Sequence, residues 1–277
     1  TNKLWVYRNA KPTFSSEVVS NLVSLGNFNE KHREKIPGYP QTISYAMPDG
    51  KRQFRIDPEW VSIQYSDYTA DDMHIVEGVP DKEQTFAMAT NWFLKLGVDH
   101  AQLAKKSDGV NLESKVTETT VVLYKPKDGP AYATNTYARE ATFMRSFDGV
   151  RVSGGSARGG CSIQFGHHGT VSRIFVAWRN YERVKAYAVA SSNELLKQIR
   201  DGKSVCWSRD GSFPDMQSAT NIVITRVMPY YYCEGYSEFD KPQNLATPFA
   251  EMEVRVETPL TNSIIYLDCQ IFDGKSR

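Results

Sequence analysis

Residues Phe143 to Trp178 constrain the fold more tightly than any other part of the chain. Within them Cys161-Ser162-Ile163-Gln164-Phe165 alternates apolar and polar side chains, and Val171-Ser172-Arg173-Ile174-Phe175-Val176 does so less cleanly. A period of two puts one set of side chains on a buried face and the other towards solvent, which suits a strand of an antiparallel sheet. Gly166-His167-His168-Gly169 separates the two runs and makes them a hairpin. Upstream, Asp148-Gly149 marks another turn before Val150-Arg151-Val152, and the glycine-rich run Gly154 to Gly160 reads as a flexible connection. The stretch is therefore a sheet-forming scaffold rather than an active site.

Strand composition continues on both sides. Leu4-Trp5-Val6-Tyr7 opens the chain, and Thr42 to Ala46, Gln53 to Ile56 and Trp60 to Tyr65 follow, with Pro48-Asp49-Gly50 as a hairpin turn. Val116 to Tyr124 and Ala131 to Arg145 are strands, although Ala138 to Phe143 also admits a helix. The tail returns to strands at Asn221 to Val227, Glu251 to Glu257 and Ile264 to Phe272. Helical spacing appears at Val18, Val19, Leu22, Val23 and Leu25, bounded by Ser15-Ser16 and Gly26. It appears again over Asp81 to Leu96, stopped by Gly97, and over Ser191 to Arg200, where Ser191 and Glu194 have capping-box spacing. Asn27 to Gly38 reads as a loop. The polar residues Ser107 to Ser114 divide the chain into an α+β unit over residues 1–106 and a second over residues 115–277. No internal repeat is visible in the sequence.

Charge excludes one class of partner. Lys plus Arg total 33 against 32 Asp plus Glu, so there is no general electrostatic attraction for nucleic acid. No stretch approaches the roughly 20 apolar residues of a membrane helix. The chain begins at Thr1 rather than Met, so an upstream signal or anchor segment is an open expectation. The four cysteines Cys161, Cys206, Cys233 and Cys269 form no C-x-x-C pair, which leaves zinc and thioredoxin-like chemistry without support and both bridges and buried thiols open.

The residues that could carry chemistry form no complete constellation. The glycine run lacks the Gly-Lys-Ser/Thr and following helix of a phosphate loop. Cys161 with His167 or His168 offers a thiol and a base, but a nucleophile needs that base in reach and a third group to orient it. Adjacent histidines in a strand point to opposite faces and suit one metal poorly. The cluster Tyr230-Tyr231-Tyr232, with Tyr236 and Phe239, could form an aromatic contact patch or cover a sheet edge.

Taken in order, the central residues run strand, Asp148-Gly149-Val150 with Val152, strand, Gly169-Thr170-Val171, strand and Trp178-Arg179. A helix opening at Ser191 follows and closes at Asp201-Gly202. Over Phe143 to Gly202 this cadence resembles the PepSY-like group, which includes the extracytoplasmic domains of the sensor-kinase regulators YycH and YycI and the propeptides of thermolysin-like proteases. The resemblance implies curved antiparallel sheets each crossed by a helix, in a cystatin-like arrangement, here as two packed domains. It also implies a place outside the cytoplasm and binding of peptides or proteins, with no shared catalytic set. The expectation is a non-enzymatic extracytoplasmic protein that binds a peptide or protein partner in a regulatory or inhibitory role and takes no cofactor. A sheet edge or an aromatic patch would make the contact, with Tyr230, Tyr231, Tyr232, Tyr236, Trp178 and Arg158 as its residues. The alternatives are a hydrolase-type enzyme around Cys161, His167, His168 and Arg158, or a carbohydrate-binding protein using Trp60, Trp178 and the Tyr230 cluster; a cytoplasmic location is the alternative to an extracytoplasmic one.

Overall fold

The computed structural model describes residues 3–9, 14–58, 62–73, 75, 77–106, 112–123, 133–153, 160–177, 181–202, 205–207, 218–232 and 245–271. In chain order these form β1 (Lys3–Asn9), α1 (Ser16–Gly26), β2 (Arg33–Glu34), β3 (Ile43–Ala46), β4 (Arg52–Asp57), β5 (Ser62–Asp67), α2 (Lys82–Lys95), β6 (Ser114–Leu123) and β7 (Ala133–Phe143). Then come β8 (Ser146–Phe147), β9 (Val150–Ser153), β10 (Cys161–Phe165), β11 (Val171–Ala177), β12 (Tyr181–Ala188), α3 (Ser192–Arg200), β13 (Val205–Trp207), β14 (Asn221–Tyr232), β15 (Leu245–Glu257) and β16 (Asn262–Gln270). The chain is thus mixed α and β, dominated by strands in two sheets.

The first sheet runs β2-β3-β4-β5-β11-β10-β7-β6, and every neighbouring pair in it is antiparallel. Its register shows why the alternation in the sequence works. Ile43 lies opposite Ile56, Ile56 opposite Ile63, Ile63 opposite Val176, Val176 opposite Cys161, and Cys161 opposite Phe143. A second row runs Tyr45, Phe54, Tyr65, Ile174, Ile163, Ala141. Both rows face one core, which α1 closes with Val18 and Leu22 and α2 with Ala89 and Phe93. The helices start where the side chains dictate. Ser15 caps α1 and Asp81 caps α2, the latter in a reciprocal capping box with Gln84. Asn27 takes the left-handed capping position at φ 54° and ends α1 after Gly26, where a Cβ would fall 1.9 Å from the buried Phe28 ring.

This sheet contains an order that the residue pattern hides. α1 is followed by β2, β3, β4 and β5, and α2 by β6, β7, β10 and β11; the two sets meet as mirror orders at the antiparallel β5–β11 pair. The sheet order therefore repeats helix-plus-four-strands on its two sides. No repeat is legible in sequence because the requirement is alternation and capping, not identity of residues. Strands on both sides of residues 107–114 belong to this one sheet.

The second sheet is built on the long β14–β15 ladder, from Asn221 opposite Glu257 to Tyr232 opposite Thr247. β16 and then β13 extend it beyond β15, while β1 and β12 attach where β15 begins. At the far end of β14, β9 pairs in parallel at Tyr231 and Tyr232, and β8 follows. The β8–β9 turn thus leaves the first sheet after β7, joins the second, and returns at β10. α3 packs Leu195 and Ile199 against Met252, Val254, Val256, Ile265 and Leu267 of this second sheet.

Several expectations change at this level. The Phe143 to Trp178 stretch is divided between both sheets, and its strands β10 and β11 lie under α2, not under α3. Residues 138–143 are strand throughout. The Asn27 to Gly38 loop holds a short 3-10 turn and β2. β12, unrecognised in the sequence, is exposed along most of its length, so no burial pattern marks it.

Candidate functional site

The tyrosine cluster extends β14 to Tyr232, and the strand's period of two splits it. Tyr231 is fully buried at the junction between sheets, edge-on to Tyr7 and Phe147 at 5.3 Å each. Tyr230 and Tyr232 point to the opposite face, where both rings lie 5.9 Å from Phe249. The cluster is therefore split between one fully buried ring and two half-buried ones. Arg158, Trp178, Tyr236, Trp60, Phe239 and Cys233 lie outside the described residues.

The thiol and the two histidines are not brought together. Cys161 stands in the apolar row described above, and His167 and His168 lie beyond the other end of β10, about 15 Å away at the rise of a strand. Burial pushes the Cys161 thiol well up, with the Arg145 charge opposing weakly. Both histidines serve the turn: His167 Nε2 meets the Thr69 carbonyl at 2.9 Å, and the His168 amide donates to the Glu77 carbonyl at 3.2 Å. Gly166 beside them admits no side chain, since a Cβ would sit 1.6 Å from the Ala70 carbonyl oxygen. Cys161 and Cys269 are free and buried. Iodoacetamide should therefore leave both unmodified in the native protein and label both once guanidinium unfolds it, read site by site by mass spectrometry. Native labelling of Cys161 would contradict this placement. Among the described residues no group of three or more His, Cys, Asp or Glu side chains could hold a metal ion, and no helix is long and apolar enough to cross a membrane.

A polar and aromatic cluster ties the sheets together. Arg145 is 1% exposed, with its guanidinium 4.7 Å from the Phe147 ring and 5.2 Å from the Tyr181 ring, and it donates to Gln102 Oε1. Nearby, the Tyr7 hydroxyl donates to Asp148, which also accepts from Arg183. Burial and then the Asp148 carboxylate push the Tyr7 phenol up to about 12. These contacts tie the two sheets together at a structural junction.

A cleft among the described residues lies elsewhere, at the edge of β14. From Asn221 to Tyr230 its second edge pairs with no strand among the described residues, because β9 reaches only Tyr231 and Tyr232. Pro229, which has no N–H to give a ladder, is at home on such an edge. α3 lies alongside and leaves a cleft of about 350 Å³, lined by Ser192 and Leu196 of the helix and by Ile222 to Val227 of the strand. Leu195 and Ile199 anchor α3 to the core, so Leu196, one position round the helix, overhangs the strand edge half-buried. Val227 is 41% exposed at the cleft. The other long edges differ. β6 carries Lys115 and Glu118, and β12 carries Glu182, Arg183 and Lys185, the charges that protect edge strands from pairing. Ile222-Val223-Ile224-Thr225 carries none. The third apolar residue of α3, off the Leu195–Ile199 stripe, was the one sequence signal for this cleft.

The chain matches no family model, and it matches no curated protein sequence.

Proposed function

We propose that this protein is a non-enzymatic binder of a peptide or protein partner, and that the partner adds an extended segment to the open edge of β14. The observation that carries the reading is the cleft between that edge and α3, where Leu196, Ile222, Val223, Ile224 and Val227 are joined by Ser192, Thr225 and Arg226. Main-chain hydrogen bonds to a strand edge supply affinity, and a neighbouring helix supplies pockets for alternate side chains. The six lining positions Ile222 to Val227 span about 20 Å at the rise of a strand, room for a segment of similar length. The helix-plus-four-strands order on each side of the first sheet supports the cystatin-like part of the reading; the PepSY-like resemblance, two packed domains and an inhibitory or regulatory role outside the cytoplasm belong to the same proposal. A signal peptide or lipoprotein cysteine encoded before Thr1 would carry the location; its absence would count against it. The carbohydrate alternative keeps one observation in its favour, the half-buried Tyr230–Phe249–Tyr232 cluster; a glycan array without hits removes it.

The test is selection of displayed peptides on the whole chain, followed by hydrogen exchange of the complex. Selected peptides should slow exchange along Asn221 to Tyr230, and Leu196→Arg, which fills the cleft with charge, should weaken them at least about tenfold. Protection that falls elsewhere, with Leu196→Arg neutral, would sink the proposal.

A further inference from the structure

The cleft has one charged member. Arg226 lines it and is exposed, immediately after the register shift that marks a bulge between Ile224 and Arg226. Its cross-strand neighbour is Glu253, which would ordinarily be its ion-pair partner. Glu253 is engaged otherwise: its carboxylate accepts the Thr225 hydroxyl at 2.8 Å, and that hydroxyl also reaches the Glu253 carbonyl at 3.0 Å. The bulge thus spends Glu253 on Thr225, and among the described residues Arg226 makes no ion pair. An arginine on an edge strand guards against pairing with neutral or cationic strands. It also offers a planar fork that binds a carboxylate through paired N–H donors.

We infer that the segment docked on β14 is an acidic one: apolar where it passes between Leu196 and Ile222–Ile224, and bearing a carboxylate where it passes Arg226. This rests on the peptide-docking reading above and specifies its partner. Strand periodicity permits both demands at once. Side chains of the added strand that share the face of Ile222 and Ile224 enter the space under Leu196, and alternate ones share the face of Arg226. The register supports the assignment of faces, since Ile222 and Ile224 lie opposite the buried Val256 and Val254, whereas Arg226 lies opposite the half-exposed Glu253. A cationic segment would bring like charge to the Arg226 guanidinium, which discriminates as well as an added attraction does.

The experiment uses the whole chain and blocked peptides of about six to seven residues, in which valine and threonine alternate and the central residue is Glu, Gln or Lys. Binding is read by fluorescence anisotropy. The Glu peptide should bind about tenfold more tightly than the Gln peptide, the scale of one partly exposed charge-assisted contact, and the Lys peptide most weakly. Arg226→Ala should bring the three together, and Arg226→Glu should reverse their order; Arg226 is exposed, so both variants keep the fold, checked by circular dichroism. If all three bind equally to the native chain yet lose binding with Leu196→Arg, the acidic specificity is overturned while the docking site stands. If none binds, both fall. If the protein instead dimerises with rising concentration and Arg226→Glu dissolves the dimer, the occupant is a second copy and the inference is overturned.

Discussion

Replacing Phe143 with Ala should cost about 3–5 kcal/mol of folding stability. Phe143 is fully buried at the end of β7, opposite Cys161. Its ring stacks on Phe86 at 5.3 Å and meets Phe93 edge-on at 4.9 Å, so it locks α2 to the sheet from two sides. Truncation removes the transfer free energy of the ring and leaves a hole between a helix and a sheet. Neither can collapse far, because α2 is also held by Ala89 and Phe93 in the same core and β7 is paired on both edges. Chemical denaturation monitored by circular dichroism measures the loss. A change under about 1 kcal/mol would mean that the neighbours close the gap and that the ring is not the lock described.

Arg145→Ala should cost about 2–5 kcal/mol, while Arg145→Met should recover much of that. Arg145 is among the largest fully buried side chains in the protein, yet it is charged. The aromatic faces of Phe147 and Tyr181 and the Gln102 side chain hold its guanidinium where the chain leaves β7 for β8. Alanine removes both the packing and these contacts. Methionine keeps most of the volume and spares the burial of a charge, and such replacements are often neutral or better. Denaturation midpoints of the two variants decide which matters. If Met is as damaging as Ala, the charge holds the junction and the packing account is wrong. Because the β8–β9 turn belongs to the second sheet, amide exchange in the alanine variant should quicken at Val152 and Tyr231 as well as at the end of β7.

Local features of the fold were legible because they depend on neighbouring residues alone. Ser15, Asp81 and Ser191 cap helices, Pro48-Asp49-Gly50 and Gly166 to Gly169 turn hairpins, and the alternation of β10 and β11 marks their apolar face, although Gln164 and Ser172 on the other face are buried too. Strand order was not legible. Any of several alternating strands could have paired with β5, and nothing in their residues names β11 over another. β12 carried no signal since neither face is buried, and Arg145 looked like a surface residue because charge normally marks one.

The candidate site divides in the same way. The idea of an exposed strand edge came from the sequence, but the aromatic run proposed for it did not mark the place: alternation sent Tyr231 into the core and left Tyr230 and Tyr232 on the face away from α3. The sequence by itself determined where the three helices begin, by their caps, and which runs alternate as strands. The tertiary structure alone decided that β9 stops at Tyr231 and Tyr232, that α3 lies beside an edge of β14 with no strand partner among the described residues, and that Glu253 turns to Thr225 and leaves Arg226 at the rim of the cleft without an ion pair among those residues. Caps, turns and alternation are fixed by contacts a few residues apart, whereas an open edge is a property of which distant strands failed to meet it.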